Sequence, residues 1–69
     1  MPYSMKVAYN IKRLYEEKGL EAQEFASLIG ISKQALSNYD SGRRKWPIDI
    51  LPNVADVLGV SLDALYGRD

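Results

Sequence analysis

The chain has 69 residues, 46% of them apolar and 26% charged, and its nine Lys and Arg are balanced by nine Asp and Glu. That is enough for one small domain, near the lower size at which an apolar core holds without staples, and its composition is that of an ordered globular chain. With no Cys and no His, disulfides, thiolate and imidazole metal sites and the Ser-His-Asp type of triad are all excluded.

The zero net charge is not the balance expected of a chain that binds a polyanion. The first five residues lack the basic flank and following apolar run of a signal peptide. No stretch approaches the roughly 18 consecutive apolar residues of a membrane span. The expectation is a cytoplasmic, non-enzymatic, single-domain protein with no cofactor, metal, small-molecule ligand or membrane contact.

The apolar spacing is helical throughout. Val7, Ile11, Leu14 and Tyr15 form one stripe, Ser4 is a candidate N-cap and Gly19 a candidate stop, which predicts a first helix over about residues 5–18. Phe25, Ala26 and Ile29 with Gly30 as the stop predict a second over 22–29. Ser32 caps a third over 33–41, ended by Gly42. After the loop "RRKWP", Asp49 can cap a fourth helix over 50–58, with Pro52 in its first turn and Gly59 as its stop. Ser61 caps a short fifth over 62–66. No run alternates long enough for a strand, so the fold class is all-α, a compact bundle of five helices in one domain spanning 1–69.

Helices 2 and 3 are joined only by "GIS", which requires them to cross steeply. Gly30 suits a turn position with positive φ, and the small Ala26 lets helix 3 approach closely. Ile31, Leu36 and Tyr39 supply the contacts that lock the angle. At about 100° per residue, Lys33, Gln34, Ser37, Asn38 and Ser41 share one polar arc of helix 3, while Ala35, Leu36 and Tyr39 share the apolar arc behind it. The polar arc has no Glu, and Asp40 lies at its edge. Gln and Asn amides offer a donor and an acceptor to a base edge, and Lys donates to guanine or to phosphate.

The stretch "GLEAQEFASLIGISKQALSNYDSGRRK" resembles the helix-turn-helix of the lambda-repressor/Cro-like (XRE) family of bacterial and phage regulators. The likeness continues through "IDILPNVADVLGVSLDALYG" and covers about residues 7–67. It implies a repressor that reads double-stranded DNA in the major groove as a homodimer. By position, the resemblance assigns base readout to Lys33, Gln34, Ser37 and Asn38. It assigns phosphate contacts to the end of helix 3 and the loop after it, at Ser41, Arg43, Arg44 and Lys45. The family begins helix 2 with Thr or Ser followed by Gln; here Glu21 and Ala22 stand there, and Gln23, one residue later, takes over that phosphate contact in part.

Charge is polarised along the chain. Residues 33–45 hold Lys33, Arg43, Arg44 and Lys45 against Asp40 alone, a local balance of plus three, so the remainder carries minus three. Lys6, Lys12 and Arg13 read as surface charges of helix 1, and Tyr3, Tyr9 and Tyr15 as core or boundary residues. Trp46 is expected to pack against helix 4 beside Pro47. Val57, Leu62, Leu65 and Tyr66 form a candidate dimer face, or else close the core. The rival reading is a helix-turn-helix module for protein partners, an antirepressor or complex anchor without DNA binding, which Glu21 and the neutral total favour.

Overall fold

The computed structural model describes residues 3–68. Among them are five α-helices and no strand: α1 Tyr3–Glu17, α2 Ala22–Ile29, α3 Lys33–Asp40, α4 Leu51–Leu58 and α5 Leu62–Tyr66, with a 3-10 turn at Ile48–Ile50 before α4. α1 packs against α3, α4 and α5, while α2 packs against α3 and α4. Every helix gives the centre at least one fully buried side chain: Ile11, Phe25, Leu36, Val54, Leu58 and Leu65. In so small a chain, that convergence is what makes the core sufficient.

The chain turns where its sequence provides for it. Gly30 sits at φ 77°, and the Ile31 N–H donates to the Ala26 carbonyl at 3.0 Å, closing α2 with a left-handed cap. A Cβ on Gly30 would meet nothing within 4 Å, so glycine is required there for its dihedral angle rather than for space. Ala26 is buried under the crossing. The Ser32 and Ser61 hydroxyls accept from the backbone N–H of Ala35 and Ala64 at 3.0 and 3.1 Å, capping α3 and α5.

Several boundaries differ from the sequence reading. α1 begins at Tyr3, so Ser4 lies inside its first turn and is not the cap. Asp49 is not the cap of α4 either; it falls within the 3-10 turn, and Ile50 occupies the cap position without a side-chain bond. Pro52 in the first turn of α4 needs no N–H there, which lets the tighter turn lead straight into the helix. α3 ends at Asp40, with Ser41 as its C-cap.

Candidate nucleic-acid interface

α3 presents its polar arc outward. Lys33, Gln34 and Ser37 are exposed and Asn38 is half-buried, with Leu36 fully enclosed behind them. Gln34 Nε2 lies 3.5 Å from Asn38 Oδ1, a long contact that leaves each amide most of its donors and acceptors. The Ser32 cap satisfies one N–H of the first turn without adding charge to the positive end of the helix dipole.

The basic loop is tied to the end of the same helix. The Asn38 carbonyl accepts from both the Ser41 hydroxyl and the Arg44 N–H, each at 3.2 Å. Farther on, Trp46 is buried, its ring 4.6 Å from that of Tyr39 and tilted by 32°. That ring contact is with α3, and Trp46 shares the buried core cluster with Leu51, Val54, Ala55 and Leu58 of α4. Between these two anchors Arg43, Arg44 and Lys45 stand exposed beside the polar arc.

The start of α2 is different. Glu21 is the N-cap residue, and the Glu24 carboxylate accepts from its backbone N–H at 3.0 Å. A carboxylate of the chain itself thus occupies ground that an incoming phosphate would need. Gln23 is exposed one residue beyond the first helical position. Glu21 and Glu24 pair as a capping box, so two acidic side chains close this N-terminus.

Between α1, the start of α2 and α3 runs an open groove of about 640 Å³, lined among others by Lys12, Glu16, Glu21, Lys33, Ser37 and Asp40. Its floor holds a contact that local sequence pattern does not signal. The Tyr15 hydroxyl donates to Asp40 Oδ2 at 2.7 Å, while its ring stacks on Phe25 at 4.6 Å and 18°. Burial, then the bond to Asp40, pushes the Tyr15 phenol well above its usual range, so it stays protonated. Burial also raises the Asp40 carboxyl, against the lowering effects of the Tyr15 bond and of Lys12.

The candidate dimer residues divide. Leu65 is fully buried in the core and has no surface to offer another chain. Its inward position is fixed by docking on α1, where Asn10 Nδ2 donates to the Leu65 carbonyl at 3.1 Å. Leu62 is 44% exposed, and Val57 and Tyr66 are half-buried. Tyr9, expected at the core or its boundary, is 64% exposed, whereas Tyr15 is buried; the side chain of Tyr3 lies outside the described residues.

The family model HTH_3, described as "Helix-turn-helix", matches residues 11–65, which takes in α2, α3 and their turn. The chain belongs to the HTH_3 family. The family comprises DNA-binding regulators rather than enzymes. The chain is 35% identical over 63 residues to the HTH-type transcriptional regulator AnsR of Bacillus subtilis, a match covering 87% of the chain and 54% of AnsR. To the uncharacterized HTH-type transcriptional regulator y4dJ of Sinorhizobium fredii it is 42% identical over 55 residues, covering 80% of the chain and 71% of y4dJ. An HTH_3 family transcriptional regulator from Vibrio cholerae superposes with a TM-score of 0.83 at 28% identity, over 97% of this chain and 38% of that one. The chain thus spans about half the length of AnsR and little more than a third of the Vibrio structure. No helix among the described residues is long and apolar enough to cross a membrane.

Proposed function

We propose that this HTH_3 chain is a sequence-specific, double-stranded DNA-binding transcriptional regulator, a cytoplasmic repressor that grips a near-palindromic operator as a homodimer. The observation that carries the reading is the joint placement of an acid-poor polar arc on α3 and an exposed basic loop anchored to the same helix. Lys33, Gln34, Ser37 and Asn38 read base edges in the major groove. Ser41, Arg43, Arg44 and Lys45 hold phosphates, and Gln23 reaches one more from the start of α2. The regulator names of the relatives support the reading at the level of the family.

One monomer neutralises few phosphates, so its affinity is modest and falls with salt at a slope of about −3. Two copies on half-sites about 34 Å apart supply the rest. Of the candidate dimer residues, Val57, Leu62 and Tyr66 keep surface with which to pair them.

Selection of bound sequences from a random duplex pool, at low salt, tests the reading. Enrichment of a motif with two-fold symmetry is the expected outcome. Failure to retain any duplex under those conditions would instead favour the module for protein partners, to which the Glu21 and Glu24 carboxylates at the start of α2 lend weight.

A further inference from the structure

We infer that Asp40 is a positioning residue whose protonation is linked to duplex binding: through Tyr15 it ties α3 to α1, and it takes up a proton when a polyanion covers the groove it lines. The inference rests on the reading of this face as a DNA interface. Tyr15 joins three helices at one point, its ring against Phe25 of α2 and its hydroxyl on Asp40 of α3. Asp40 closes α3, where the negative end of the helix dipole already disfavours a carboxylate. Its second oxygen, Oδ1, is enclosed and has no hydrogen-bond partner among the described residues.

The same carboxylate lines the groove shared with Lys33, Ser37 and Ser41, three of the residues assigned to the duplex. The charged groups facing it are Lys12 and Glu16 from α1, Glu21 from the start of α2 and Lys33 from its own helix. Lys12 favours the carboxylate and Glu16 opposes it, while burial already holds it above the ordinary carboxylate range. A row of phosphates laid over the groove adds negative charge on that side. The bound protein therefore holds the Asp40 proton more tightly than the free protein does. By reciprocity, protonation must strengthen the grip on the duplex by the same factor.

The sign follows. Affinity is lowest above the pKa of Asp40 in the complex, rises as pH falls through that value, and levels off below the pKa of the free protein. One proton allows at most about a tenfold change per pH unit. Tyr15 does not titrate in this window.

The test is the affinity of the full chain for a selected duplex, measured from neutral to mildly acidic pH at fixed ionic strength, for the wild type, D40N and Y15F. D40N keeps an oxygen for the Tyr15 hydroxyl and removes the charge. It should bind several-fold more tightly than wild type at neutral pH and lose the acid-dependent step. Y15F keeps the ring on Phe25 and removes the donor that holds Asp40 ionised, so its midpoint should move to higher pH. A wholly structural joint would change affinity without moving that midpoint. Parallel profiles for wild type and D40N, or an unmoved midpoint in Y15F, would overturn the inference while leaving DNA binding intact. Absence of binding by all three proteins at every pH would overturn it together with the functional reading.

Discussion

The two helices of the helix-turn-helix begin in opposite electrostatic styles. α3 starts with a neutral hydroxyl cap from Ser32 and is followed on its outer side by Lys33, Gln34 and Ser37. α2 starts between two carboxylates, one of which is already bonded to the backbone N–H of Glu21. Both ends carry the positive end of a helix dipole, yet only α3 leaves it open to a partner's anion. In the function proposed above, recognition falls to α3 and its trailing loop, and α2 is the strut that sets the angle of α3. A neutral total charge is compatible with such a face because residues 33–45 carry a local balance of plus three and the remainder minus three.

The contrast is broken most severely by removing what holds the strut to the reading helix. Leu36 is fully buried at that junction, and Leu36→Ala should cost about 2–5 kcal/mol, read as a lowered midpoint of denaturant unfolding. Next in size is Gln34→Ala. It should leave unfolding unchanged and remove about 1–3 kcal/mol of discrimination at one base position, visible by comparing matched and mismatched duplexes. Arg44→Ala, on the loop, should instead weaken all duplexes alike and reduce the salt slope by about 1, measured by titration across ionic strengths. The smallest effect sharpens the comparison from the other side. Glu21→Ser keeps the capping box with Glu24, with a hydroxyl in place of the Glu21 carboxylate, and removes one negative charge; it should leave thermal unfolding within about 0.5 kcal/mol and raise duplex affinity a few-fold.

What the sequence disclosed was whatever depends on neighbours along the chain. The apolar stripe of α1, the turn at Gly30 and the caps at Ser32 and Ser61 each follow from a short run of neighbouring residues, and the structure places them where the spacing does. What it hid depends on distance. The Tyr15–Asp40 bond joins residues 25 apart, and Asp40 by pattern was only the edge of a polar arc. Trp46 sits in a loop without periodicity, so nothing local signals its ring contact with Tyr39 of α3. α5 has five residues, too few to define a stripe, and docking on α1 decides that Leu65 faces inward while Leu62 does not. The cap of α4 was misread for a related reason: a 3-10 turn places Asp49 inside a helical element instead of ahead of it. At the interface itself, the outward polar arc could be read from the wheel, whereas the anchoring of Arg44 to the Asn38 carbonyl could not.

The central claim is that the amides of α3 read bases while the loop holds phosphates. Its most direct measurement is the sequence preference of the Gln34→Ala variant against the wild type, profiled over a randomised duplex at one salt concentration. The expected outcome is a preference relaxed at a single position in each half-site, with affinity for non-specific duplex unchanged. An identical preference in the two proteins would contradict it.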